Sequence, residues 1–311
     1  MNTKQKVFIT GGAGYIGSSL TPILLDAGYE VTVYDNLLAG GDGIIHNFSN
    51  SNFKFIKGDI LNKELLHQSM EGHDVVIHLA AIVGYTACRT DEIGSYRVNH
   101  EGTRNVVDGL DGKQLLLYGS TGSNYGTVEG ICTEESPLNP LSIYGITKTM
   151  GEEEVLKYEN SVAFRFATAF GLSPRLRLDL LVNDLSFSAF TQKYIAVYES
   201  HFMRTFIHVR DIAEVFKFAI ENQEQMSGEV YNVGSNSMNY SKADVCKIIQ
   251  EKTECYVHYA DFDNDADKRN YVVSYDKINQ LGYSTKIGVA EGIEELLRVF
   301  PTIKIENKYR N

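Results

Sequence analysis

The sequence predicts an α/β protein built on a doubly wound parallel sheet, with a smaller C-terminal lobe. Short β-rich runs alternate with helical patterns through the first half, and several runs are apolar throughout (VVIHLA, LLLY). Such runs suit strands covered by helices on both faces. The first run also ends directly in a glycine-rich turn, TGGAGYIG.

The expected strands are Val7–Thr10, Glu30–Tyr34, Phe53–Lys57, Val75–Leu79, Leu115–Tyr118 and Ala163–Ala167. Helical patterns fall between them at Tyr15–Ala27, Asn99–Gly109 and Tyr144–Tyr158. Pro22 lies inside the first of these and is expected to bend it. After about Thr168 the pattern loosens. A loop, Ser173–Arg177, leads into a helix near Asp179–Thr191, and further helices are expected near Asp211–Glu221, Lys242–Lys252 and Val289–Phe300. There is no repeat and no clear linker. The chain divides into residues 1–170, the doubly wound domain, and 171–311, mainly a lobe against the open end of the sheet, with some segments returning to the sheet.

The 311 residues are 43% apolar and 22% charged, enough for a sizeable core. The formal net charge is −11. A nucleic-acid or membrane surface normally carries a basic excess, so neither partner is expected. Phosphate on a ligand must then be met by a few arginines and helix N-termini. Cys88, Cys132, Cys246 and Cys255 show no C-x-x-C spacing and read as reduced thiols. No metal site is expected. The first residues enter a strand with no apolar leader core, and no apolar run nears the roughly 20 residues of a membrane helix. The expected location is the cytoplasm.

Gly11, Gly14 and Gly17 are spaced by three, between a strand and a helix. Gly11 allows a tight turn, Gly14 lets backbone N–H groups at Tyr15 and Ile16 approach a pyrophosphate, and Gly17 lets the helix pack closely. Alone the triplet is weak. Here Asp35, at the end of the second strand, follows Gly17 by 18 residues. A carboxylate there accepts both ribose hydroxyls and repels a 2′-phosphate, so the expected cofactor is NAD rather than NADP. Asn36 follows it, and Asp59-Ile60 is placed to meet an adenine. Leu79-Ala80-Ala81 offers small residues where a cofactor crosses the sheet edge. His78 reads as a satisfied core histidine, and Asn99 either joins a polar relay or caps a helix.

Tyr144 and Lys148 are four residues apart, hence on one helix face. Phenol is too weak an acid to serve as a base at neutral pH unless nearby positive charge stabilises the phenolate. An ammonium and a nicotinamide ring do this. Thr121, after the fifth strand, supplies a hydroxyl to hold the substrate. The bland alternative for Tyr144 and Lys148 is a surface helix pair.

With these residues in this order, the sequence resembles the extended short-chain dehydrogenase/reductase family, the NAD-dependent epimerase/dehydratases of nucleotide sugars. TGGAGYIG, YDN, GDI, HLAA, YGITK, RFATAFG, RTFIHVRDIA, YNVGS and DKRNY carry the resemblance across nearly the whole chain. It implies a Rossmann fold, a nucleotide-sugar-binding C-terminal lobe, and hydride transfer between the sugar, often at C4, and NAD. It implies that Tyr144 is the base, that Lys148 orients the nicotinamide ribose and that Thr121 binds the reacting hydroxyl. Arg204 and Arg269 would grip the substrate diphosphate, Asn183 would also meet it, and Tyr125 would line the sugar pocket. A homodimer through two helices, near 99–109 and 144–158, is implied as well.

The family's 4,6-dehydratases carry Asp-Glu after the catalytic Thr, and its 3,5-epimerases a Cys near the catalytic Ser. This chain has Gly122-Ser123 and no Cys from Ser120 to Gly126. Without an acid to protonate a leaving hydroxyl, dehydration is disfavoured. Two C4 reactions remain: release of a 4-keto sugar, or its return to the same cofactor from the other face. Thr168 stands where typical UDP-galactose 4-epimerases carry Asn. SPRLRLDLLVNDL and HFMRTFIHVRD look closer to sugar-modifying proteins of surface-polysaccharide biosynthesis, including nucleotide-heptose 4-dehydrogenases. The expected activity is C4 oxidation of a nucleoside-diphosphate hexose or heptose, with 4-epimerisation as the alternative. A catalytically silent NAD sensor is the alternative from another class. Arg175 and Arg177 are candidate selectors of substrate, or simply a solvated loop.

Overall fold

The computed structural model describes residues 5–260 and 270–304. Strands β1 (Lys6–Thr10), β2 (Glu30–Asp35), β3 (Phe53–Lys57), β4 (Val75–His78) and β5 (Leu115–Thr121) form in the expected order. The chain continues through β6 (Thr127–Cys132), β7 (Ser161–Phe166), β8 (Thr168–Phe170), β9 (Tyr194–Tyr198) and β10 (Met203–His208). It ends with β11 (Glu229–Val233), β12 (Asn239–Ser241), β13 (Tyr256–Ala260) and β14 (Asn270–Val273).

Seven of these strands make one parallel sheet in the order β11-β7-β5-β4-β1-β2-β3. Chain order reverses beside β1, so a crevice opens at the carboxyl ends of β1 and β4, where such folds bind ligand. The strands are apolar on both sides because both sides are covered. Val7 and Ile9 of β1 join one cluster, and Phe8 between them joins the other. The first cluster is closed by α1 (Tyr15–Asp26), which runs unbroken through Pro22, and by a helix at Val209–Glu221. The second is closed by α2 (Lys63–Met70), α5 (Gly102–Asp108) and α6 (Ile143–Val155). Two short helices, α3 (Tyr85–Thr90) and α4 (Glu92–Tyr96), precede α5.

The expected helix from Asn99 to Gly109 is not one regular element. Residues Arg97–Glu101 form a π-helical turn that runs into α5. Such turns re-aim a side chain, and Asn99 sits inside this one.

The lobe has its own core, built by α7 (Leu181–Gln192), α10 (Lys242–Lys252) and α12 (Val289–Val299) with β9, β10 and β13. Between them in the chain, α8 (Val209–Glu221) and β11 return to the large sheet, while α9 (Gln223–Met226) and α11 (Asp276–Gln280) are short connections. β8 continues β7 after one residue but pairs with β10 in a second sheet, β12-β10-β8, and so joins the two bodies. Among the described residues no helix is long and apolar enough to cross a membrane. All four cysteines are free and buried.

Phe164 of β7 is fully buried and meets Phe216 of α8 edge-on at 5.3 Å. Phe164→Ala is expected to destabilise the fold by about 3–5 kcal/mol, read as a lower denaturation midpoint.

Candidate active site

The glycine turn is shaped by close backbone contacts. Gly11 has φ +70°, and a Cβ there would lie 2.6 Å from the Ala80 nitrogen. A Cβ on Gly17 would lie 2.4 Å from Gly12 Cα, so the close packing needed at Gly17 is against the turn itself. Gly12, which the triplet spacing passes over, is pressed against Val33 in the same way. α1 begins at Gly14 with no side-chain cap and no acid in its first turn. Its first N–H groups and its dipole are thus available to an anion. The Tyr15 side chain turns away: its hydroxyl donates to the Gly171 carbonyl at 2.7 Å, and burial pushes the phenol pKa far up. Tyr15 and Ile16 can meet a pyrophosphate through their backbone.

Asp35 ends β2. One carboxylate oxygen accepts from Ala13 N at 3.0 Å and the other from Leu37 N at 2.7 Å. Burial raises its pKa and these two bonds oppose the rise. Each oxygen has a second lone pair for a ribose hydroxyl. Asn36 Nδ2 donates to Asp59 at 3.1 Å, which braces the loops after β2 and β3 against each other. Asp59 also accepts from Leu61 N at 2.9 Å. The Ile60 side chain points into the core, where a Cβ on Gly102 would come within 2.4 Å of it.

After β4, Leu79, Ala80 and Ala81 are partly exposed along the crevice. Asn99 holds the next residue with its whole amide: Oδ1 accepts from Ile82 N at 2.8 Å and Nδ2 donates to Ile82 O at 2.9 Å. Nδ2 also donates to Thr147 Oγ1 at 3.0 Å, fastening the loop to α6. Asn99 is therefore a bracket between the loop after β4 and α6. His78 is a buried structural residue, held between Thr10 (2.7 Å) and Thr103 (2.9 Å). Thr103 donates to the Asn99 carbonyl at 2.6 Å, so His78 Nε2 must be the donor to Thr103 and Nδ1 the acceptor from Thr10. Burial, then Lys148, push its pKa down to about 3, so the ring is neutral.

α6 is pressed onto β5 and the turn that follows. Ser142 caps the helix, accepting from Gly145 N at 3.1 Å. A Cβ on Gly145 would sit 3.0 Å from the Ser123 carbonyl, and one on Gly151 would sit 2.4 Å from the Tyr118 hydroxyl. Tyr144 lies in the first turn, half-buried. Lys148, 2% exposed, puts Nζ 3.9 Å from the centroid of the Tyr118 ring. Burial lowers the Lys148 pKa to about 7, against the pull of Glu152 and Cys88. Thr121 ends β5, accepts from Ser123 N at 3.2 Å and donates to Ser123 Oγ at 3.1 Å. The structure thus places a glycine-turn helix N-terminus, the Asp35 carboxylate and the Tyr144–Lys148 helix around the carboxyl ends of the sheet.

Residues 7–234 match the NAD dependent epimerase/dehydratase family. The chain belongs to this family. It is 30% identical to a UDP-N-acetyl-alpha-D-glucosaminuronate decarboxylase of Bacillus cytotoxicus, over 75% of each chain. It is 26% identical to a putative UDP-glucose 4-epimerase of Methanocaldococcus jannaschii, over 94% of this chain and 97% of the relative. Among solved structures it resembles UDP-glucuronic acid 4-epimerase from Bacillus cereus in complex with UDP-glucuronic acid and NAD, with 26% identity and a TM-score of 0.84 over 96% of this chain and 99% of that one. The family's cofactor, NAD, fits the residues present: the glycine cradle that any Cβ would fill, the uncapped helix and Asp35.

The residues expected to meet a substrate divide. Arg204 of β10 is 3% exposed, and its Cζ lies 6.0 Å from the Phe202 ring centroid. Lys242, overlooked in the sequence because it reads as the first residue of a capped helix, approaches the same ring at 5.5 Å. Arg269 lies outside the described residues. Tyr125 does not line a pocket. It is fully buried, its hydroxyl donating to Asn232 at 2.7 Å and accepting from Arg165 at 3.0 Å. Asn183 is also fully buried. It accepts from Gly171 N at 2.8 Å and donates to the Arg177 carbonyl at 2.8 Å, so it shapes the loop rather than presenting its amide to a diphosphate. On that loop Arg177 pairs with Asp179, and Arg175 Nη1 donates to the Leu176 carbonyl at 3.4 Å.

Asp35→Ala is expected to weaken NAD binding about tenfold, the loss of one charge-assisted contact. It should also narrow the preference over NADP, because the charge that repels a 2′-phosphate is gone. Parallel fluorescence titrations with the two cofactors check both.

Proposed function

We propose that the chain oxidises the C4 hydroxyl of a nucleoside-diphosphate sugar, a hexose or heptose, to the 4-ketone. Tyr144 takes the proton from O4 as the C4–H bond breaks. Thr121 Oγ1 holds O4, and Lys148 stabilises the phenolate by its charge. NAD, when bound, accepts the hydride that leaves C4. Lys148 is buried enough to be near its titration point, so ribose hydroxyls accepting from Nζ favour its ammonium form and with it the phenolate. Arg204 supplies positive charge for the diphosphate in an otherwise acidic protein.

One observation carries the choice of reaction. Gly122, directly after Thr121, is fully enclosed. A Cβ there would lie 3.2 Å from the Tyr271 hydroxyl and 3.3 Å from the Phe166 carbonyl. Gly122 thus brings no acid to the turn, and a side chain there would crowd Tyr271 and Phe166. Simple redox at C4 needs no such acid. A second reading, 4-epimerisation, is favoured by relatives named as 4-epimerases: the ketone is reduced again from its other face.

Incubating the NAD-loaded protein with GDP-, UDP-, CDP- and dTDP-sugars, followed by chromatographic separation of isomers and mass spectrometry, separates the outcomes. A carbonyl-reactive product two hydrogens lighter supports oxidation, an isomer with inverted C4 supports epimerisation, and loss of water contradicts both. Tyr144→Phe is expected to lower turnover by roughly 10²–10⁴ while NAD binding persists. Near-normal turnover in that variant removes Tyr144 as the base.

A further inference from the structure

Behind the catalytic turn lies a buried ion pair that the reaction above does not use. Glu152 follows Lys148 by one helical turn on α6 and is 2% exposed, and Arg165 of β7 is 6% exposed. Arg165 donates to Glu152 Oε1 through Nη2 at 2.6 Å and through Nε at 3.0 Å. The other carboxylate oxygen accepts from Ser120 Oγ at 2.5 Å and from Asn124 Nδ2 at 3.1 Å. Ser120 immediately precedes Thr121, and Asn124 ends the short turn that Thr121 caps. One carboxylate therefore ties both ends of the Thr121 turn to the helix that carries Tyr144 and Lys148.

Its charge matters as much as its bonds. Lys148 faces Tyr144 and Glu152 along α6, the Tyr118 ring on β5, His78 on β4 and Cys88 on α3. His78 is neutral, burial pushes the Cys88 thiol pKa up, and burial holds Tyr118 far from ionising. Among these groups Glu152 is the carboxylate, and it is the largest influence opposing the loss of charge that burial imposes on Lys148.

We propose that Glu152, braced by Arg165, is a positioning residue of the reaction: it sets Thr121 against Tyr144 and keeps Lys148 an ammonium ion. This rests on Tyr144 acting as the base. Without the carboxylate, Lys148 sheds its proton at lower pH, the phenol loses its charged neighbour, and the phenolate forms later.

The test follows the near-ultraviolet phenolate band of the full, NAD-loaded chain against pH. Wild type should show a phenolate forming near neutrality that Tyr144→Phe lacks. Glu152→Gln should delay that phenolate by about one pH unit, hence about tenfold less phenolate at neutral pH. The turnover number should fall in parallel, with little change in the KM for sugar. Glu152→Asp, which keeps the charge, should recover most of the band position. Glu152→Gln leaves an unpaired buried guanidinium and risks misfolding, so Glu152→Gln/Arg165→Met, which removes both charges, is measured beside it and should show a smaller delay in the same direction. A neutral-range band that persists in Tyr144→Phe overturns the assignment of the base. A band that is lost in Tyr144→Phe, yet unmoved in the single and double variants at 152 and 165, overturns the role of Glu152 alone.

Discussion

The close seating of α6 on the end of β5 is the constraint on which the rest of the site depends. Gly145 and Gly151 remove the side chains that would hold the helix away, and the Tyr118 ring then becomes the floor beneath Lys148. A lysine placed there loses hydration and gains a π-face, which is worth about 0.5–2 kcal/mol. The exchange leaves it near its titration point instead of locked in one charge state. For the proposed role of Lys148, carrying charge beside the Tyr144 phenolate, that is the useful condition. A lysine in solvent would be permanently charged, but its field would be screened before it reached Tyr144.

The dinucleotide half is organised by the same economy of space. Gly11 and Gly17 allow backbone to touch backbone at the carboxyl ends of β1 and β4, where the crevice lies. Beneath it, Thr10, neutral His78, Thr103 and the Asn99 carbonyl form a hydrogen-bonded chain across β1, β4, α5 and the π-helical turn. Asn99 extends that chain to the Ile82 loop and to Thr147 on α6. The cofactor crevice and α6 are thus parts of one polar framework, and a shift in either would be felt in the other.

Much of this was legible in the sequence because its signals are local. The strands announce themselves by being apolar on both faces, the turn by its glycine spacing, and the Tyr144–Lys148 pair by a four-residue interval on one helix. What was not legible depends on direction or distance. Tyr125 and Asn183 occupy pattern positions linked to a ligand, but a position along the chain does not say where a side chain points. Tyr125 finds its partner at Asn232, and Asn183 folds back on its own loop. The Glu152–Arg165 pair joins a helix to a strand, and on α6 Glu152 reads as one acid in a run of three. The break of the 99–109 helix into a π-helical turn had no sequence signal, since Val98 to Glu101 contains neither proline nor glycine.

The most direct measurement uses a nucleotide sugar carrying deuterium at C4. Incubated with the NAD-loaded protein, it should pass the deuterium to the cofactor, giving reduced nicotinamide one mass unit heavier in a single turnover, with slower reduction than for unlabelled sugar. Deuterium that stays on the sugar while the cofactor is reduced would contradict oxidation at C4.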